Sequence, residues 1–309
     1  MKATAAAHAN IALVKYWGKR DEARMLPEAG SLSVALDKLR TTTTVELGEF
    51  PADAFVLDGR EEDASRVRAL LDAAGIRQRA RVESRNEFPT AAGLASSASG
   101  FAALAAAACA AAGLRKTDEE ISALARIGSG SATRSVPGGW AVWENESARQ
   151  LFPPGHWDLR FCIALCAAGP KQVGSRDGMR ASRETSPYHA AWIAQCRRDL
   201  PAALLLLASR DLAGLGALAE RNALRMHADA LAADPPLLYW EPATVACLQA
   251  LRELRASGVQ AWATIDAGPH VVAICAAADA SAVEARLRAV PGVSDVLPCA
   301  PAGGAHVLS

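Results

Sequence analysis

The stretch Phe88-Pro89-Thr90-Ala91-Ala92-Gly93-Leu94-Ala95-Ser96-Ser97-Ala98-Ser99-Gly100, followed by the apolar run Phe101 to Ala112, constrains this chain more than any other. A segment that is apolar or small on every side reads as a helix buried inside a core. Glycines and small hydroxyl residues at its entrance leave backbone N–H groups free to face an anion. No Lys-Ser/Thr pair follows the glycines, so this is not a Walker A loop. A small-residue turn packed tightly under a helix is the alternative reading of the same residues.

Around this helix the chain alternates strand and helix patterns. Apolar residues at 11 and 13 suggest a strand that runs into the basic turn Lys15-Tyr16-Trp17-Gly18-Lys19-Arg20. Ser31 to Leu36 and Arg40 to Leu47 read as two strands, the second rich in β-branched threonine. Glu61 to Ala74 has helical spacing, Gln78 to Ser84 is strand-like, and Thr117 to Glu120 is a capping box. Pro153-Pro154-Gly155 is the clearest linker. Beyond it come a strand (159–166), helices over 186–233 interrupted at Pro201, and a helix from Pro242 to Ser257. Strands at 261–265 and 271–275, a helix at 283–290 and a strand at 293–297 follow. With the extra helices set aside, this is the β-α-β-β-α-β, ferredoxin-like order. The expectation is an α+β fold in two domains, residues 1–157 and 158–309.

Lys plus Arg equals Asp plus Glu at 33 each, which leaves no global electrostatic footprint for nucleic acid or an anionic membrane. No apolar run approaches the ~20 residues needed to span a bilayer. The seven cysteines are odd in number, sit mostly in apolar runs and form no CxxC pair. They read as free core thiols in a reducing compartment, so a cytoplasmic protein is expected. The six histidines form no HExxH or Cys/His cluster that would hold structural zinc.

Two loops could cradle phosphate, one around Ser96 and Ser97 and the other around Ser129 and Ser131 in Gly128-Ser-Gly-Ser-Ala-Thr-Arg-Ser135. Small hydroxyl residues let the backbone approach phosphate and can reach Mg²⁺. Most arginines here read as solvated helix-face charges. Arg134 differs, lying in a Gly/Ser loop before a strand, and Lys15 ends an apolar strand. Asp266 lies in Ile265-Asp-Ala-Gly-Pro269; it is either a carboxylate that satisfies turn amides or a base held on a rigid loop, and spacing does not choose. His227 and His270 read as core or rim histidines. No Gly-x-Ser-x-Gly elbow is present.

Five segments together resemble the diphosphomevalonate decarboxylases of the GHMP kinase superfamily. They are Asn10–Asp21, Phe88–Ser99, Gly128–Ser135, Asn222-Ala-Leu-Arg-Met-His-Ala228 and Ile265–Pro269, which span nearly the whole chain in the family's order. The resemblance implies ATP-dependent decarboxylation of mevalonate 5-diphosphate to isopentenyl diphosphate, with ADP, phosphate and CO₂ released. It also implies a GHMP-kinase fold with a ribosomal S5 domain 2-like first domain, a ferredoxin-like second domain, and a homodimer. By match to the motifs, Asp266 would be the catalytic carboxylate and Arg134 the substrate-orienting cation, held by Asn10 and organised with Lys15. Gly93, Leu94, Ala95, Ser96, Ser97 and Ser99 would hold ATP, with Ser97 on Mg²⁺. Tyr16, Lys19, Ser129, Ser131, Arg134, Ser175 and Arg176 would bind the mevalonate carboxylate or diphosphate. The sequence departs from the family pattern at Glu28-Ala29-Gly30, Val136-Pro137, Gly174 and His270. Rival readings are a phosphomevalonate decarboxylase, a mevalonate 3-kinase, and a nonenzymatic GHMP-fold nucleotide sensor.

Overall fold

The computed structural model describes residues 1–88, 96–167, 169 and 173–309. The first half begins with β1 (Lys2–Val14), the short β2 (Lys19–Asp21) and β3 (Leu26–Pro27), and the 18-residue β4 (Ser31–Gly48). β1 and β4 pair antiparallel along most of their length. The sheet continues through β5 (Ala54–Leu57), β6 (Arg60–Glu62) and, after helix α1 (Ser65–Ala73), β7 (Arg79–Asn86). Helix α2 (Ser96–Ala111) lies across β1 and β4, with α3 (Asp118–Gly128) and the short α4 (Ala132–Ser135) against it. β8 (Trp140–Trp143) and β9 (Ala148–Phe152) extend the sheet from β4.

The buried helix is where the apolar pattern put it, but it begins at Ser96, so both serines lie in its first turn. The two strands expected at 31–36 and 40–47 are one. Its first six residues are buried on both faces, and from Leu39 onward burial alternates, as one covered and one open face require. Asp37 and Lys38 do not break it, because Asp37 N donates to Ala300 O at 3.0 Å and its carboxylate accepts from Ala300 N.

The second half holds β10 (Leu159–Ala164), then α5 (Ser175–Thr185), α6 (His189–Ser209), α7 (Leu212–Leu231) and α8 (Pro242–Ala256). β11 (Ala261–Thr264), β12 (Val271–Ala276), α9 (Ala280–Arg288) and β13 (Val296–Cys299) complete an antiparallel sheet of order β11-β12-β10-β13, the ferredoxin-like arrangement. Pro201 does not interrupt α6; it lies exposed inside the helix, where the carbonyl it frees can face water. The chain end returns to the first sheet, with β14 (His306–Val307) pairing with β1.

One apolar core crosses between the sheets, joining Ile11, Leu13 and Leu32 to Phe161, Leu215 and Val272. Helix α7 is central to that junction. Gly216 lets it close on β11, since a Cβ there would sit 2.2 Å from Trp262 Cγ. One turn on, the Glu220 carboxylate accepts the β11 backbone N–H of Ala263 at 2.9 Å. Gly216→Ala should therefore overpack this seam and lower stability by roughly 1–3 kcal/mol. The denaturant midpoint reads this; an unchanged midpoint would show that the helix can shift without loss.

Candidate active site

The residue that follows β1 and the turn after β11 meet at an ion pair. Lys15 Nζ lies 2.5 Å from Asp266 Oδ1 and donates a second bond, 2.7 Å, to Ala12 O. The Lys15 side chain is 1% exposed, whereas that of Asp266 is 36% exposed, so the carboxylate alone faces open space. The Lys15 backbone N–H is held by Asn222 Oδ1 at 2.8 Å, and Asn222 Nδ2 donates to Asp199 at 2.8 Å. Burial pulls the Lys15 ammonium below its ordinary value, and contact with Asp266 opposes this. On the far side of Asp266, His227 Nε2 lies 3.1 Å from the Asp266 carbonyl. A carbonyl can only accept, so Nε2 carries the proton.

Arg134 is built in the same way. It lies in α4 rather than in a loop, and its guanidinium is fixed by Nε donating to Asn10 Oδ1 at 3.1 Å and Nη1 to Ser31 Oγ at 2.8 Å. Asn10 is itself pinned, donating to Ser131 O at 3.0 Å and Ser135 Oγ at 2.8 Å. Irregular pairing of β1 with β4 between His8 and Asn10, and again between Ala12 and Val14, flanks these residues; bulges re-aim side chains at such places. Burial pulls Arg134 down to about 10, which leaves it charged at neutral pH.

These groups line a cavity of about 360 Å³. Asn10, Lys15, Tyr16, Arg134 and Asp266 lie on its wall, and Ser96, Ser97, Ser129 and Ser131 bring the two hydroxyl-rich segments together there. Ser97 Oγ is 3.2 Å from Ser129 Oγ, which is 3.3 Å from Ser131 Oγ. Ser175 and Arg176 reach the same cavity from the start of α5. The Tyr16 hydroxyl is buried without a hydrogen-bond partner among the described residues, and burial pushes the phenol above its ordinary value, so it remains a donor.

Two expected residues are turned elsewhere. Lys19 is fully buried, does not line the cavity, and pairs with Glu22 at 2.6 Å. Ser99 is fully buried and hydrogen-bonded to Thr41 Oγ1 at 2.6 Å, on the sheet side of α2. Gly93, Leu94 and Ala95 lie outside the described residues. His227 and His270 are both buried and bonded to backbone groups. Arg66, Ser31 and Asn222 were not expected at the site. Asn222 opens the 222–228 segment, which was the only signal for it, and Ser31 and Arg66 had none.

Residues 7–151 match the family described as the diphosphomevalonate decarboxylase-like N-terminal domain, and residues 161–299 match the mevalonate 5-diphosphate decarboxylase C-terminal domain. Human diphosphomevalonate decarboxylase is 36% identical over 314 residues, covering 87% of this chain and 75% of its own. The chain belongs to the diphosphomevalonate decarboxylase family. Its fold is that family's GHMP kinase fold. The mevalonate diphosphate decarboxylase of Staphylococcus aureus superposes with a TM-score of 0.94 at 35% identity, covering 100% of this chain and 98% of that one. A structure described as MDDEF in complex with MVAPP, AMPPCP and magnesium gives 0.93 at 37% identity, covering 100% and 99%.

The His227 arrangement has a consequence for pH. Burial, then the Lys15 charge, pushes its imidazole down to about 4. Between the unfolded value near 6.5 and about 4, the unfolded chain binds the extra proton, so stability falls as pH falls through that window. The loss approaches about 3 kcal/mol once both states are protonated. Denaturant melts between pH 7 and 4 should show a shallower decline for His227→Gln than for wild type. Parallel declines would remove His227 as the cause.

Proposed function

We propose that this chain catalyses the ATP-dependent decarboxylation of mevalonate 5-diphosphate to isopentenyl diphosphate. The observation that carries this is the composition of the cavity wall: among the described residues, one accessible carboxylate, Asp266, stands with Lys15, Arg66, Arg134, Arg176 and a cluster of hydroxyls. That surplus of cations suits two polyanionic substrates, and the lone carboxylate suits a proton acceptor at the point where they meet. Sequence relatives named for this reaction, and a superposable complex with MVAPP and AMPPCP, support the same substrates. Nothing at the site favours a monophosphate substrate, a kinase that stops at phosphorylation, or a sensor.

In this reading Lys15 holds Asp266 through Oδ1 and leaves Oδ2, which accepts no hydrogen bond among the described residues, for the C3 hydroxyl of the substrate. A carboxylate is a weak base toward a tertiary alcohol. A loose phosphoryl-transfer transition state tolerates that, because proton removal can come late. Once C3 carries phosphate, the C–O bond to that phosphate breaks. The electron pair of the C–C bond to the departing CO₂ forms the new double bond. Arg134 suits this step because its fork can grip phosphate and carboxylate oxygens together, and its hydrogen bonds to Asn10 and Ser31 keep it aimed before substrate arrives. Tyr16, Ser129, Ser131, Ser175 and Arg176 would hold the rest of the mevalonate substrate.

Ser96 and Ser97 begin a 16-residue buried helix, whose first N–H groups and dipole favour phosphate. Magnesium bound mainly through phosphates needs only one or two protein oxygens, and the exposed Ser97 hydroxyl fits that need. When bound, the ion neutralises the charge between the phosphates. Residues 1–157 would form the nucleotide-binding unit and 158–309 the ferredoxin-like one, in a cytoplasmic homodimer as the family resemblance implies. Seven free, buried cysteines are consistent with a reducing compartment.

Release of CO₂ with mevalonate, its 5-phosphate and its 5-diphosphate, each with ATP, tests the assignment; the diphosphate should be preferred. Asp266→Asn should abolish CO₂ release while AMPPCP still binds, and near-normal turnover would sink its role. Arg134→Lys keeps the charge but loses the fork, and kcat should drop on the order of 10²-fold or more.

A further inference from the structure

Glu28 belongs to a segment that departs from the family pattern, and it has no task in the reading above. It lies between β3 and β4, where three contacts tie it to other elements. Its backbone N–H donates to Gly18 O at 3.1 Å, and its carbonyl accepts from Arg197 of α6 at 3.3 Å. Its carboxylate faces His189 Nε2 at 3.3 Å. The other ring nitrogen of His189, at the start of α6, lies 2.9 Å from Asp229 Oδ2 of α7. An ionised carboxylate can only accept, so both ring nitrogens carry protons and the imidazole is a cation. Asp229 is fully buried and its Oδ1 accepts no hydrogen bond among the described residues, so without that cation a buried charge would stand unpaired. Arg183 of α5 approaches Glu28 Oε2 to 4.0 Å and, with Arg197, completes the charged groups around the ring among the described residues.

This bridge lies against the turn that enters the reaction cavity. Gly18 closes directly on it. At φ +143° a Cβ there would lie 3.3 Å from both Glu28 Oε2 and His189 Cε1, a backbone conformation that suits glycine. Tyr16 and Trp17, just before it, line the cavity. Residues 16–18 belong to no strand and are held by side chains. Trp192 Nε1 of α6 donates to Trp17 O at 2.8 Å, Trp17 Nε1 donates to Ser182 Oγ of α5 at 3.0 Å, and Glu28 secures Gly18. Ser31, which aims Arg134, is secured separately, because β4 pairs it with Trp143 of β8. Loosening Glu28 would therefore release the Tyr16 turn and leave Arg134 in place.

We infer that His189, as an imidazolium bridging Glu28 and Asp229, positions the turn at residues 16–18 for the mevalonate substrate, and that losing its proton at alkaline pH loosens the grip on that substrate. This rests on mevalonate 5-diphosphate occupying the cavity. Burial opposes the charge on His189, but Asp229 and then Glu28 outweigh it and raise the ring above its ordinary 6.5. The bridge is therefore complete below 6.5 and is lost as pH rises through the higher value of the folded protein.

KM and calorimetric Kd for mevalonate 5-diphosphate, measured between about pH 6 and 9 on wild type, His189→Gln and Glu28→Gln, test the inference. In wild type both should climb on the order of 10-fold at alkaline pH, as loss of the charge-assisted bonds that hold a turn predicts. His189→Gln should show the weakened value at every pH, with kcat and the KM for ATP near those of wild type. Glu28→Gln keeps an acceptor but removes one negative charge, so its climb should begin at lower pH. Parallel profiles in wild type and both variants are what a merely structural role gives, and they overturn the inference. So does a climb that persists in His189→Gln, which belongs to another group, or a loss carried by kcat, which implicates Arg134. Substrate binding without CO₂ release by wild type overturns the proposed reaction, while the Kd profile still decides the inference. No binding at any pH overturns both. Thermal melts identify a misfolded His189→Gln; Glu28→Gln then decides by where its climb begins, since the Glu28 side chain is 25% exposed and its replacement is mild.

Discussion

The contact between Lys15 and Asp266 joins the two sheets at the point where chemistry is expected. Lys15 follows β1, Asp266 follows β11, and the core beneath them is continuous between the halves. A buried ammonium left without its carboxylate costs about 3–5 kcal/mol, far more than an exposed pair contributes. The Lys15 backbone is tied to Asn222 of α7, and His227 of the same helix grips the Asp266 carbonyl. One helix therefore sets both partners of the pair. Small shifts of α7 against either sheet would change the aim of the accessible carboxylate oxygen, so stability and activity share one set of contacts.

Arg134 repeats the principle with neutral partners. Asn10 and Ser31 use oxygen atoms to hold the guanidinium, while the Asn10 amide group is occupied by Ser131 and Ser135. None of these bonds cancels the charge, so it stays available to a ligand. Lys15, by contrast, gives its charge to Asp266. The two cations are thus divided in role by their partners: one is spent on orientation and the other is kept for substrate.

What could be read from the sequence follows from which forces are local. The buried helix at 101–112, the capping box at Thr117 and the β-α-β-β-α-β order all arise from periodicity within short windows, and they stand in the structure. The strand break expected near Asp37 does not exist, because the bonds that keep the backbone extended come from Ala300, distant in sequence. Site residues divide in the same way. Asn10, Lys15, Arg134 and Asp266 belonged to recognisable segments, and the structure brings them to one cavity. Lys19 shared such a segment, yet its pairing with Glu22 takes it out of the wall. Arg66 was hidden among many helix-face arginines, since only the fold brings Gly128 and Phe101 to it. Ser31 was hidden for a similar reason, its partner lying across the sheet.

The balance of charge shows why composition alone says little about such a protein. Lysine plus arginine equals aspartate plus glutamate over the whole chain, yet among the described residues the cavity wall carries Lys15, Arg66, Arg134 and Arg176 against Asp266 alone. Without ligand, this concentration of like charge in a partly enclosed space is unfavourable, and the fold bears it through hydrogen bonds to neutral oxygens and through stacking on Phe101 and Trp143. Polyanionic ligands relieve the repulsion. Ligand binding and stability are linked by mass action, and each anion that enters makes the folded state more favourable. The two halves bring cations to the same space from opposite sides, Arg66 and Arg134 from one and Arg176 from the other. An anion between them is therefore attracted to both halves at once.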